Sequence, residues 1–128
     1  MSLDERKQRG ADLIERLLGA DDADQMRAAW RDVSPELEEY ITEFVAGEIW
    51  SRPQLDARTK SLVTIATLAG IGRPLALELN IRMARNAGAT EREVIETLLH
   101  IAPYAGFPAA WEGLAVAKRV FSAESETT

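Results

Sequence analysis

The chain has no cysteine and one histidine among its 128 residues. Missing thiols exclude disulfides, zinc–thiolate and iron–sulfur sites, and every thiol-based redox mechanism. With His100 as the single imidazole, a metal site would rest on carboxylates and a catalytic triad would have to use that residue. Basic charge is short as well: Lys and Arg number 15 against 21 Asp and Glu, a formal net charge of −6 at pH 7. That balance disfavours nucleic acid, whose phosphates are held by a basic face. No apolar run approaches the roughly 20 residues that a bilayer requires. Met1 to Arg6 carries neither the basic nor the apolar region of a secretory signal. Phosphate-cradling loops of the G-x-x-x-x-G-K or G-x-G-x-x-G kind are absent. The expectation is one cytoplasmic domain spanning residues 1–128, able to bury a core without staples. Its partners are then small molecules or other protein chains.

What is present reads as helix. Ser34-Pro35 pairs an N-cap with a proline at the first helical position, where its missing N–H costs nothing. Asp22 with Gln25, and Thr90 with Glu93, have capping-box spacing. Asp56 opens another helix, and Gly88 is placed for a left-handed C-terminal cap. These marks predict helices over Asp4–Leu18, Ala23–Val33, Pro35–Ser51, Ala57–Ile71, Pro74–Ala87, Glu91–Ala102 and Pro108–Ser122. Strand alternation with hairpin turns is missing. The fold expectation is all-α, a compact domain of about six to seven helices, with residues 123–128 a frayed polar tail. Leu62–Ile71 and Leu98–Ala110 are apolar nearly all round. One small core cannot easily cover them together with Trp30, Trp50 and Trp111, so burial between copies in a homo-oligomer is expected.

Polar side chains on apolar stripes point to candidate chemistry, because burying one without a partner costs about 1–3 kcal/mol. Leu37, Ile41, Phe44 and Glu48 share one face at helical spacing, which puts Glu48 on the predicted buried stripe. It is read either as a general acid/base whose proton affinity is raised by burial, or as a late-helix glutamate turned outward by local fraying or paired with Arg52. Ala76, Asn80, Met83 and Ala87 form a second stripe, where Asn80 either donates to a developing oxyanion or satisfies backbone carbonyls at a helix crossing. Arg73, in the Gly72-Arg73-Pro74 break, is either a bidentate carboxylate clamp or a solvated loop arginine. Arg52, beside Trp50, invites the same two readings. Lys60 and Ser61 sit where a helix start offers free N–H groups to an anion. His100 falls on the polar face with Glu93, Glu96 and Thr97, which argues for a partly exposed residue; Tyr104 lies one turn further along that side.

Three segments carry a family likeness: Leu3 to Gly10; Gly47-Glu48-Ile49-Trp50-Ser51-Arg52-Pro53-Gln54-Leu55-Asp56 with Thr59-Lys60-Ser61-Leu62; and Asn86-Ala87-Gly88-Ala89-Thr90 running to Tyr104-Ala105-Gly106-Phe107-Pro108-Ala109-Ala110. Over nearly its whole length the chain resembles the γ-carboxymuconolactone decarboxylase family, the non-thiol branch of the alkyl hydroperoxidase-like superfamily. The resemblance implies an all-helical subunit that assembles through paired helices into trimers or hexamers. It also implies a cofactor-free, metal-free decarboxylase of aromatic catabolism by the β-ketoadipate pathway, acting on a small anionic lactone. In that setting Glu48 and Asn80 are the expected catalytic residues, with Arg73, Arg52, Tyr104 and Trp50 about the substrate. The thiol branch carries Cys-x-x-Cys followed by His, and those positions hold Arg73, Ala76 and Asn80, which excludes peroxidase chemistry. The decarboxylase branch keeps the His, whereas this chain reads Asn80-Ile81-Arg82-Met83-Ala84. An amide donates a hydrogen bond but transfers no proton near neutral pH. The alternatives are therefore protonation by Glu48 alone, a diverged isomerase, cyclase or hydrolase acting on a natural-product intermediate, or a non-catalytic homologue.

Overall fold

Side-chain caps set four of the helix starts, those of the helices that begin at Leu3, Pro35, Ala57 and Glu91. Ser2 Oγ accepts from the Glu5 N–H while the Glu5 carboxylate accepts from the Ser2 N–H, a capping box that opens α1 (Leu3–Leu18). In the computed structural model, which describes residues 1–127, every regular element is helical and no strand occurs among them. The chain divides into two compact units, Met1–Leu55 and the segment from Asp56 onward.

In the first unit α1 is followed by α2 (Ala20–Val33), α3 (Pro35–Glu39) and a π-helix (Tyr40–Trp50). The α2 start departs from expectation: Gly19, not Asp22, is its N-cap, so Asp22 falls inside the first turn. Ser34 caps α3 as expected, accepting from the Leu37 N–H at 3.2 Å. The predicted helix Pro35–Ser51 is helical through Trp50 but changes winding at Tyr40, from i→i+4 to i→i+5 closure. Wider turns rotate the inward face. Glu38, Thr42, Ala46 and Gly47 are buried, whereas Leu37 and Phe44 of the predicted stripe are exposed. The contact that selects this face is backbone against backbone. A Cβ on Gly10 would lie 1.7 Å from the Thr42 carbonyl oxygen, and one on Gly47 would lie 2.3 Å from that of Arg6. Only glycine lets α1 and the π-helix approach so closely.

The second unit runs α4 (Ala57–Gly70), α5 (Pro74–Asn86), α6 (Glu91–His100), α7 (Ala102–Ala105) and α8 (Phe107–Thr127). Asp56 caps α4 through the Thr59 N–H, and Thr90 with Glu93 closes the predicted capping box on α6. Gly88, at φ +100°, ends α5 as expected: the Ala89 N–H donates to Ala84 O at 2.9 Å and the Gly88 N–H to Arg85 O at 3.1 Å. The sixth predicted helix, Glu91–Ala102, ends at His100, and a further short helix, α7, starts at Ala102 ahead of Pro103, which has no N–H to continue the α6 ladder. Helix α8 extends through Thr127, past its predicted end, so the tail expected to fray is helical over 123–127; Thr128 lies outside the described residues. Ile65 of α4, Leu77, Ile81 and Ala84 of α5, Val94 and Leu98 of α6, and Val116 and Val120 of α8 make the core. The buried face of α5 is thus Leu77–Ile81–Ala84, and the expected stripe of Ala76, Asn80, Met83 and Ala87 lies beside it, half-buried. Two adjacent apolar stripes compete on this helix, and the one carrying the larger side chains is turned inward. Among the described residues no helix is long and apolar enough to cross a membrane.

Candidate active site

The expected site residues divide between the units. Glu48, Trp50 and Arg52 lie in the first and Arg73, Asn80 and Tyr104 in the second.

Glu48 sits near the end of the π-helix with its side chain 38% exposed, and its ion-pair partner is Arg6 of α1, with Nε 3.4 Å from Oε2. The burial on which a desolvated acid/base was predicated is not found. Its place in the interior is taken by Glu38, ten residues earlier, since the widened turns carry Glu48 off the inward face. Arg52, the alternative partner, follows the π-helix terminus and is exposed. Around it the chain is held by the Arg9 guanidinium donating to Ser51 O at 3.1 Å and by Ser51 Oγ donating to Ala46 O at 2.8 Å. Trp50, the last π-helical residue, is half-buried. Arg6 was missed as a site residue, although it has a sequence signal. It stands at i, with Gly10, Leu13 and Leu17 at i+4, i+7 and i+11, a cation in line with the buried face of α1.

Burial by itself pushes the Glu38 carboxyl up. Hydrogen bonds from Arg31 (2.6 Å) and Thr42 (3.1 Å), with the charges of Arg27 and Arg31, outweigh it and hold the group below the usual glutamate value. A buried carboxylate engaged by two guanidiniums and a hydroxyl is occupied in structure, and we assign it to holding α2, α3 and the π-helix together.

In the second unit Asn80 is half-buried on α5 and its Nδ2 donates to Ala76 O, one turn back, at 2.8 Å. One amide hydrogen is thus spent on a backbone carbonyl, and the second hydrogen and Oδ1 remain for a ligand. Arg73 is exposed at the N-cap of α5 and lines a pocket of about 290 Å³ with Leu77 and Val116. Tyr104 of α7 is 79% exposed, its ring 5.5 Å from that of His100 and tilted by 46°. Neither Asn80 nor Tyr104 lines the Arg73 pocket. Lys60 and Ser61 lie within the first turns of α4, and Ser61 Oγ is buried with no hydrogen-bond partner among the described residues. Glu93, held below its usual value by the Thr90 N–H and the nearby Arg58 charge, ties α6 to α4 through the Arg58 ion pair. No group of three or more His, Asp or Glu side chains able to hold a metal ion occurs among the described residues. What the candidates offer is a carboxyl group, an amide donor and guanidiniums, a set suited to proton transfer and to binding anions rather than to nucleophilic attack.

Comparison with known proteins gives these residues a context. A 4-carboxymuconolactone decarboxylase of Acinetobacter baylyi is 35% identical over 121 residues, covering 94% of this chain and 90% of that protein. A nitrosuccinic acid decarboxylase of Metarhizium robertsii is 39% identical over 85 residues, or 66% of this chain and 59% of its own length. The Carboxymuconolactone decarboxylase family model matches residues 35–119, from the start of α3 into α8. With all-helical architecture and likeness along nearly its whole length, this chain belongs to the carboxymuconolactone decarboxylase family.

Proposed function

We propose that the protein is a cofactor-free decarboxylase acting on a small anionic lactone such as γ-carboxymuconolactone. The observation that carries the reading is 35% identity to a decarboxylase of that name across 94% of the chain. The second relative, also named a decarboxylase, extends the shared chemistry to a different acidic compound. Loss of carbon dioxide γ to an unsaturated lactone carbonyl breaks the bond to the departing carboxylate and sends its electron pair into the conjugated system. The dienolate that forms carries its charge on the oxygen of the lactone carbonyl. Glu48, which faces the Arg6 guanidinium, is the acid/base that returns a proton to carbon. Asn80 supplies a donor to the oxyanion through its uncommitted amide hydrogen. Arg73 or Arg52 clamps a substrate carboxylate, and Trp50 and Tyr104 border the substrate. The lactone itself takes up the electrons, so the scheme draws on no metal or organic cofactor.

A homo-oligomer, trimer or hexamer, goes with this reading, as does a cytoplasmic role in the β-ketoadipate pathway. It is supported by large apolar side chains left uncovered at the start of α8 and just before it: Tyr104, Phe107 and Trp111 are 79%, 77% and 76% exposed. Asn80 favours one alternative, an isomerase, cyclase or hydrolase of related anionic substrates, because its amide cannot carry a proton. Incubating purified protein with γ-carboxymuconolactone and measuring carbon dioxide release separates the two. Release that is lost in Glu48→Gln supports the decarboxylase, and substrate consumed without release of carbon dioxide supports the alternative.

A further inference from the structure

The pocket beside Arg73 has a second guanidinium that the scheme above does not use. Arg119 lies on α8, and with Val116 and Glu112 it forms a single helical face at i, i−3 and i−7. This face meets the end of α4 and the start of α5, and Ala69, Leu77 and Val116 give the pocket an apolar lining. Three ionic groups stand about it: Arg73, Arg119 and Glu112. Among the described residues none of the three has an ion-pair or hydrogen-bond partner for its side chain. Six other arginines, Arg6, Arg27, Arg31, Arg58, Arg85 and Arg92, each meet a carboxylate. In a chain with net charge −6, Arg73 and Arg119 instead bring two guanidiniums without a carboxylate partner to one pocket. The N-terminal end of the 13-residue α5 also opens at Arg73 and adds its partial positive charge.

We propose that this pocket binds a small monocarboxylate with an apolar body. The carboxylate is held by Arg73 and Arg119, and the body rests on Ala69, Leu77 and Val116. Counting two guanidiniums against Glu112 leaves the lining with one positive charge, which a monoanion neutralises and a dianion overshoots. Apolar walls reject inorganic anions, whose remaining oxygens would lose water without finding donors. A volume near 290 Å³ suits a body the size of a benzene ring or a short branched chain. The inference shares Arg73 with the decarboxylation scheme but does not rest on it: it concerns binding, and it assigns Arg119 a role whether or not the protein turns over a lactone.

The test is titration of the ¹⁵N-labelled full chain with benzoate, followed by amide shifts, alongside benzyl alcohol, inorganic phosphate and succinate. Saturable shifts centred on Arg73, Leu77, Val116 and Arg119 are expected with benzoate. Binding should weaken about tenfold or more in Arg119→Gln and in Arg73→Gln, tighten in Glu112→Gln, and stay unchanged in the control Lys118→Gln. Benzoate shifts that spare these residues, or equal affinity in Arg119→Gln, would overturn the proposal. So would benzyl alcohol binding as tightly as benzoate, since the guanidiniums would then be idle. Phosphate or succinate binding as tightly would equally sink it, reducing the site to a diffuse cationic patch.

Discussion

Replacing Gly10 by alanine tests the close approach on which the first unit is built. In an unobstructed helix interior the change would stabilise, since alanine is favoured over glycine by about 1 kcal/mol. Here the new Cβ would lie 1.7 Å from the Thr42 carbonyl oxygen and 2.8 Å from its carbon. Non-bonded atoms settle at about 3.5 Å, so the gap is short by roughly half. The obstacle is main chain, with no side-chain rotamer to swing aside; either α1 lifts from the π-helix or the Thr42 carbonyl leaves its ladder. Overpacking of a well-filled interior costs about 1–3 kcal/mol and sometimes more, and this clash belongs at the upper end. Set against the propensity gain, Gly10→Ala should destabilise by about 2 kcal/mol. For a chain of this length that is a fall in Tm of roughly 8 °C, read by circular dichroism at 222 nm. Gly70→Ala is the matched control, because its Cβ meets only Ala105 Cβ at 3.7 Å, an ordinary contact. It should leave Tm level or raise it by the equivalent of about 0.5–1 kcal/mol. If Gly10→Ala melts at or above the wild-type temperature, the backbone-to-backbone packing of α1 on the π-helix is wrong.

Three further outcomes are expected. Glu38 is held below its usual pKa of 4.5 in the folded chain, so its contribution is whole above that value and is lost as pH falls through the lower, folded value. Glu38→Gln should accordingly lower Tm at pH 7 by several degrees, with the difference from wild type closing as pH drops below 4.5; a gap that widens in acid contradicts the pairing. Ser61 buries a hydroxyl without a partner, so Ser61→Ala should unfold at the same urea concentration as wild type or a higher one, and a loss above about 1 kcal/mol would reveal a bond that the geometry lacks. Thr90→Ala removes the α6 cap and should cost about 1 kcal/mol by chemical denaturation, whereas no loss would mean that the capping box is idle.

The elements legible in the sequence were those with local causes. Ser34-Pro35, Asp56, the Thr90–Glu93 box and Gly88 each act within a few residues of themselves, and all four hold. What escaped has non-local causes. The winding of Tyr40–Trp50 depends on Gly10 and Gly47 meeting carbonyls of another helix, and periodicity counted at 3.6 residues then assigned Phe44 to the interior and exposed it in fact. On α5 the stripes through Asn80 and through Ile81 are both apolar in sequence, and only packing against Ile65, Leu98 and Val116 decides between them. The site was legible in part for the same reason. Glu48 and Asn80 were found as polar interruptions, yet Arg6 reaches Glu48 from a helix some forty residues earlier, and Arg119 joins the Arg73 pocket from one far downstream. Neither pairing has a spacing to read.

The most direct measurement is carbon dioxide released from γ-carboxymuconolactone by the purified wild-type chain, Glu48→Gln and Asn80→His, in metal-chelated buffer. A decarboxylase using Glu48 as its acid/base should release stoichiometric carbon dioxide, lose at least about a hundredfold in kcat with Glu48→Gln, and retain or gain rate when a second proton carrier enters at position 80. A wild-type chain that releases none, or a Glu48→Gln variant as fast as wild type, would contradict it.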